Sequence, residues 1–233
     1  QTYAKEQKIA LKDVVFVDIG ANVGGYTLNM ADLGVKVIAI EPMPSNLQLM
    51  RRSLCRNPEL MSRVVIHAIG LTSSAKANQT CTMYSHNINV GDGHTHCTSD
   101  DVELQIPQDY VVRATIPMLQ LDQVLGKLPH HKNIGVLKMD TEGYEGHVVL
   151  GGPELFGSGR IAHIQSEFNP DWIRGKGTNP EDYLKTFFQA GYKVRRDRRD
   201  PKTWEEEGFL SNEDALNPTI LGGFNDILLE KQK

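Results

Sequence analysis

Three carboxylates crowd one short stretch of this chain: Asp140, Glu142 and Glu145 within Lys138-Met139-Asp140-Thr141-Glu142-Gly143-Tyr144-Glu145. An acid that ends a buried strand at the mouth of a sheet is placed to take a proton from a bound hydroxyl, or to ligate a cation that acidifies it. Acids in the first turn of a helix also favour its dipole by about 0.3–1 kcal/mol each, so Glu142 and Glu145 have a purely structural reading as well. Asp140, at the carboxyl end of a central strand, is the stronger functional candidate. Glu167 closes a later apolar run and is followed by Asn169 and Asp171, so these oxygens could line a substrate or hold a divalent ion together with Asp140. His86 and His94 add candidate bases that titrate near neutral pH. A divalent metal and a metal-free base are both open readings.

A second group of residues has the spacing of a nucleoside site. Val17-Asp18-Ile19-Gly20-Ala21-Asn22-Val23-Gly24 joins an apolar strand to a helix, where glycines let a ligand approach the backbone. Glu41 ends the next strand about 20 residues later, the interval at which doubly wound folds hydrogen-bond ribose hydroxyls. A dinucleotide fingerprint would carry a second glycine at position 22, and Asn22 stands there instead. With less room for a pyrophosphate, the expected ligand moves from NAD towards S-adenosylmethionine. A tight strand-to-helix turn without a ligand is the plain alternative.

The elements that must position these groups read as alternating strands and helices. Apolar segments at 14–19 and 35–40 are expected to be buried parallel strands, with a helix between them from about Gly24 to Leu33 that stops at Gly34. A second helix is expected with Ser45 as N-cap after Pro44, ending near Asn57-Pro58. Further strands follow at 63–69, 134–139, 161–167, 192–196 and 225–229, and helices at 144–150 and 180–190. The last two strands suit a closing hairpin. Residues 71–117 are polar, without helical periodicity over most of their length, and are expected to form an insertion after the third strand, acting as a lid or binding loop.

Taken together, Asp18 to Gly24, Glu41-Pro42 and the Lys-x-Asp-x-Glu-Gly-x-Glu run from Lys138 to Glu145 resemble the FkbM family of methyltransferases. The likeness extends from about Val14 to Glu167, with a weaker echo at Asn225-Asp226. It implies a Rossmann-like class I methyltransferase fold: an α/β architecture with a mostly parallel seven-stranded sheet flanked by helices. It further implies S-adenosylmethionine as methyl donor and, as in many relatives, a sugar or polyketide hydroxyl as acceptor. Carried over by position, Asp18, Gly20, Asn22 and Gly24 border the donor, Glu41 takes the ribose hydroxyls, Ala68 lies near the adenine and Asp140 faces the reacting end. The expected activity is O-methylation of a sugar or glycan. A non-sugar small molecule or RNA as acceptor, or a donor-binding module without catalysis, are the alternatives.

Bulk properties narrow the field. The 233 residues are 39% hydrophobic and 23% charged, as in an ordinary globular domain, and are expected to form a single methyltransferase domain. A net charge of -4 disfavours nucleic acid as a partner. No apolar stretch approaches the roughly 20 residues that cross a bilayer. A first residue of Gln1 suggests either a processed form or a domain cut from a longer chain that could carry fused neighbouring domains. Three cysteines are too few for a disulfide framework and point to a reducing, cytoplasmic setting, with a Cys81–Cys97 bridge as the alternative. Cys81, His86, His94, His96 and Cys97 have the residue types of a zinc site but not its spacing. Arg195, Arg196, Arg198 and Arg199 form a basic run broken by Asp197, read as a solvated turn or an anion site. Trp172 and Trp204 could stack on a sugar ring or pack in the core. Asn78-Gln79-Thr80 is a formal N-glycosylation sequon, meaningful in a secreted chain.

Overall fold

The computed structural model of the protein describes residues 2–91, 93–98, 103–126, 134–196, 208–217 and 225–232. Its main sheet contains β1 (Val15–Ile19), β2 (Lys36–Ile40), β3 (Val64–His67), β8 (Ile134–Met139), β9 (Ile161–Phe168), β10 (Tyr192–Arg196) and β11 (Asn225–Lys231). Their order is β10-β11-β9-β8-β1-β2-β3. Neighbours from β9 to β3 run parallel, whereas β11 is antiparallel to both β9 and β10. The chain reverses direction of progress between β1 and β8, and crevices form outside the carboxyl ends of strands at such switch points.

Burial explains the strand composition. β1 reads Val-Phe-Val-Asp-Ile with all five residues buried, because both faces of a parallel sheet are covered. Val15, Val17 and Ile19 enter the large core that also takes Leu137, Ile164, Phe156 and Phe187. Phe16 faces the other way, against Ala31, Val35 and Val37. The covering helices are α1 (Thr2–Glu6), α2 (Gly25–Asp32), α3 (Pro44–Cys55), α4 (Pro58–Met61), α5 (Leu121–Leu125), α6 (Glu145–Leu150), α7 (Pro153–Gly157), α8 (Pro170–Gly175), α9 (Pro180–Gln189) and α10 (Asn212–Leu216).

α2 ends where expected, with Gly34 in the left-handed region at φ 88°. The start of α3 differs from expectation. Pro44 itself occupies the first helical turn, so the N-cap is Met43 and Ser45 lies inside the helix. The ring of proline fixes φ near the helical value and lacks only an N–H that would be unsatisfied there anyway, which moves the boundary back by two residues.

The segment 71–117 departs most from its reading as an irregular polar loop. β4 (Gly70–Leu71), β5 (Gln79–His86), β6 (Gly93–Cys97) and β7 (Tyr110–Leu119) build a second sheet in the order β4-β7-β5-β6. Cys81, Met83 and Ser85 alternate inward on β5, while Thr80, Thr82 and Tyr84 alternate outward. Cys81 and Met83 pack with Met43, Cys97, Ile116, Met118 and Tyr144. Polar residues on the outward face hid a period of two from a search for apolar runs. Cys81 and Cys97 are direct cross-strand partners and form a disulfide. Of the two readings of the cysteines, the structure takes the Cys81–Cys97 bridge. Among the described residues, no helix is long and apolar enough to cross a membrane.

Candidate active site

A cleft opens at the carboxyl ends of β1, β2 and β8. Its floor is the turn after β1, where Gly20 sits at φ 72°. A Cβ on Gly20 would lie 1.8 Å from the Asp140 carbonyl oxygen, so no other residue fits between the two strand ends. Asn22 follows at φ 52°, and its amide donates to Glu41 Oε2 at 2.8 Å. Met43 donates its amide to the other carboxylate oxygen, Oε1, at 2.7 Å. Glu41 is thus pinned at the cleft wall by two backbone amides, with the Asn46 side chain as a further hydrogen-bond partner. Burial raises its pKa above the usual carboxylate value, and the amides of Met43 and Asn22 and the Asn46 side chain pull it back down.

Behind the turn lies Asp18, fully buried and not part of the cleft lining. Its Oδ2 accepts a hydrogen bond of 2.6 Å from the Thr27 hydroxyl. Burial is the main influence on its carboxyl and raises its pKa, opposed first by the nearby Lys138 ammonium and then by Thr27. Lys138 is also buried, and its Nζ reaches three groups: the Gly20 carbonyl at 2.8 Å, Asp140 Oδ2 at 3.3 Å and Asp18 Oδ1 at 3.7 Å. One ammonium therefore ties the glycine turn to the acid at the end of β8. Gly24 serves a different purpose from bordering a ligand: at φ 92°, it caps α2, and a Cβ there would come 2.8 Å from Met50 Cγ in α3.

Asp140 lines the cleft, and its side chain is 45% exposed, the accessibility a proton acceptor for a bound hydroxyl needs. The chain then turns through two consecutive left-handed residues, Glu142 at φ 55° and Gly143 at φ 90°. Glu145 holds this turn from the start of α6: its Oε1 accepts from the Thr141 amide at 2.6 Å and the Thr141 hydroxyl at 2.9 Å. Burial pushes the Glu145 carboxyl up to about 7. Glu167, at the end of β9, is pushed up to about 9 by burial and then by Glu145, Asp140, Glu142 and Asp226. At neutral pH Glu167 holds its proton and can donate a hydrogen bond, but it cannot serve as a base there. Its side chain lies outside the cleft lining.

The two histidines also lie off the cleft. Gly93 and Thr95 line it, and His94 between them projects from the opposite face of β6, stacked on Tyr84 with 5.7 Å between ring centroids. His86 packs edge-on against Tyr110 on that same outward side, 5.5 Å between centroids. Ala68 is exposed, and Ile69 and Gly70 line the cleft beside it. Asn169 caps α8 by accepting the amides of Asp171 and Trp172, and Asp171 pairs with Arg174 at 3.2 Å. Among the described residues, no group of three or more His, Cys, Asp or Glu side chains is arranged to hold a metal ion. The disulfide removes Cys81 and Cys97 as thiolate ligands. Arg195 bonds Glu230 at 3.0 Å and lies over Phe209, while Arg198, Arg199 and Trp204 fall outside the described residues.

Several residues of the cleft escaped sequence reasoning. Met43, Asn46, Met83, Thr95 and Tyr144 all line it. Asn46 had a local signal, since it sits in the first turn of a helix that begins three residues after Glu41. Met83 and Thr95 had none, because their place depends on the register of β5 with β6. Lys138 carried one: two residues before Asp140 on a strand, it shares that residue's face.

A mostly parallel sheet in this order, with a glycine turn after its first strand and an acid closing its second, defines a Rossmann-like fold with a cleft at its switch point. The methyltransferase FkbM domain matches residues 18–194, and the chain belongs to that family. It is accordingly a methyltransferase domain, and the family and fold imply S-adenosylmethionine as donor. Among curated proteins, none matches the chain in sequence. In fold it is similar to the bifunctional kinase-methyltransferase WbdD, with a TM-score of 0.50 and 10% identity over 98% of this chain and 36% of that one. A second structure of WbdD, with its C-terminal bundle ordered, gives a TM-score of 0.51 and 10% identity over 98% of this chain and 32% of that one. The chain therefore spans about a third of the length of WbdD, and identity this low shows the fold alone. The cleft's residues fit the donor: both Glu41 oxygens face backbone amides with lone pairs still available for hydroxyls.

Proposed function

We propose that the protein is an O-methyltransferase acting on a hydroxyl of a sugar or glycan, with Asp140 as the base. One observation carries this reading: a half-exposed carboxylate at the end of β8, tied through Lys138 to the glycine turn of the donor cleft. When bound, S-adenosylmethionine supplies a methyl group on a sulfonium, already activated for attack by an oxygen nucleophile. A sugar hydroxyl is a poor acid, and Asp140 takes its proton at a carboxylate oxygen as the acceptor oxygen is aligned. Lys138, 3.3 Å away, holds that carboxylate in place.

Other parts of the cleft suit the same task. Glu41 receives ribose hydroxyls, and Asn22 and Gly20 shape the backbone path around the donor. Met43, Met83 and Tyr144 give the cleft apolar walls that keep water from competing with the acceptor. Glu142 on the lip offers an acceptor for neighbouring sugar hydroxyls. Trp172, 39% exposed and packed on Gly143, gives a sugar ring an apolar surface beside these acids. Incubating the protein with methyl-labelled donor and a panel of glycans tests the proposal. Label should appear on a hydroxyl, released as the methyl ether after hydrolysis; label recovered only as an ester or an N-methyl group would overturn it.

A further inference from the structure

The sequon Asn78-Gln79-Thr80 lies at a surface turn that leads directly into β5. Asn78 is in the left-handed region at φ 60°, and its amide donates to the Met118 carbonyl at 2.8 Å, so the turn is held by backbone while the residue itself is exposed. Thr80, two residues on, is exposed too, on the outward side of β5. Between them Gln79 turns its amide to the Lys76 carbonyl. An open groove bounded by Thr98, Pro117 and Leu119 runs beside the pair and leaves room for a sugar on Asn78.

The residue after the sequon is Cys81, and it is bonded to Cys97. Both half-cystines are buried, at 1% and 0% exposure, within the small core under β5. Such a bond forms and persists where thiols are oxidised, and a glutathione-reduced cytosol would leave it open. The two observations are independent. A sequon has no meaning outside a lumen that holds an oligosaccharyl transferase, and the disulfide places the chain in a lumen of that redox state.

We propose that this chain folds in an oxidising secretory lumen and carries an N-linked glycan on Asn78. In the modifying step the Asn78 side-chain nitrogen attacks C1 of an oligosaccharide carried on a lipid diphosphate. The C–N bond forms, the bond from C1 to the phosphate oxygen breaks, the lipid diphosphate leaves with the electron pair, and one amide proton passes to the transferase's base. No electrons change hands. The Thr80 hydroxyl completes the motif the transferase reads. The glycan leaves the donor cleft open, because Asn78 lies in the turn before β5, beside the groove bounded by Thr98, Pro117 and Leu119 and outside the cleft lining that Met83 joins.

The test uses the full-length protein purified from its own cells. Free thiols are alkylated, the protein is digested without reduction, and peptides are treated with peptide N-glycosidase in heavy-oxygen water. The expected result is Asn78 converted to heavy-labelled Asp, Cys81 and Cys97 in one disulfide-linked peptide, and Cys55, exposed on α3, alkylated as the internal control. An Asn78 peptide found wholly unmodified, or Cys81 and Cys97 both alkylated, overturns the proposal. As a second measurement, Asn78→Gln and Thr80→Ala are each expressed behind a secretory leader in eukaryotic cells. Each should abolish the endoglycosidase-sensitive mobility shift of the parent while S-adenosylhomocysteine affinity stays within about twofold. A parent that is secreted without that shift, or a shift that survives Thr80→Ala, rejects it.

Discussion

Replacing Lys138 by Met should destabilise the protein in a way that depends on pH, because Lys138 is the cation beside a fully buried aspartate. The substitution keeps most of the side-chain volume, gives up an ion pair with half-exposed Asp140 that adds little to stability, and removes two larger contributions. The first is the 2.8 Å hydrogen bond to the Gly20 carbonyl, worth about 1 kcal/mol net. The second is the charge 3.7 Å from Asp18, whose carboxylate would then be buried without compensation, a loss of about 3–5 kcal/mol when the group is ionised. Burial already raises the Asp18 pKa above 3.8 in the native state, and Lys138 is the largest influence opposing that rise. Without Lys138 the native pKa climbs further. A carboxyl with a raised native pKa contributes stability that is complete below its unfolded value and is lost as pH rises through the native one. The variant should therefore lose little more than the hydrogen bond at acid pH and several kcal/mol at alkaline pH. Urea denaturation at about pH 5 and about pH 8, with the slope of each transition unchanged, measures this directly. Adding Asp18→Asn to the variant should restore most of the alkaline loss, since the amide needs no cation. Equal losses at both pH values, with no recovery in the double variant, would refute the reasoning.

Three other expectations follow from the same geometry. Asp140→Asn should lower methyl transfer by a factor of about 100 or more while S-adenosylhomocysteine still binds, as single-turnover kinetics and calorimetric titration can show; near-normal turnover would remove Asp140 as the base. Gly20→Ala puts a Cβ 1.8 Å from the Asp140 carbonyl oxygen in a left-handed conformation that itself costs roughly 1–2 kcal/mol, and should weaken S-adenosylhomocysteine binding more than tenfold; unchanged affinity would place the donor elsewhere. Glu145→Gln keeps an oxygen for the Thr141 amide and removes a buried charge whose pKa is raised to about 7. Because that raised value means stability complete below the unfolded value of 4.5 and lost as pH rises from there to about 7, thermal unfolding should show the variant gaining on the parent across that window, by up to about 3 kcal/mol, and levelling off above it; a gain confined to pH below 4.5 would contradict the assignment.

What could be read from sequence is what is made by neighbours along the chain. The turn after β1 demanded Gly20, the acid closing β2 fell at Glu41, and the run from Lys138 to Glu145 marked a strand end, a tight turn and a helix start. Each is a local strand-to-helix geometry in which residue type is dictated by backbone conformation and by nearby amides. The alternation of apolar strands and helices marked the strands of the main sheet along the chain for a similar reason, since buried parallel strands must be apolar on both faces.

Tertiary structure decided what joins distant segments. Lys138 bonds a carbonyl 118 positions away, and that link between the glycine turn and Asp140 exists only once β1 and β8 lie side by side. The second wall of the cleft depends on the register of β5 with β6, which turns Thr95 toward the cleft and His94 away from it. A shift of one residue along a strand sends every side chain to the other face, so a polar segment rich in histidines does not by itself reveal which of them can reach a substrate. The same register brought Cys81 opposite Cys97, a pairing settled by which strand lies against which in the folded protein.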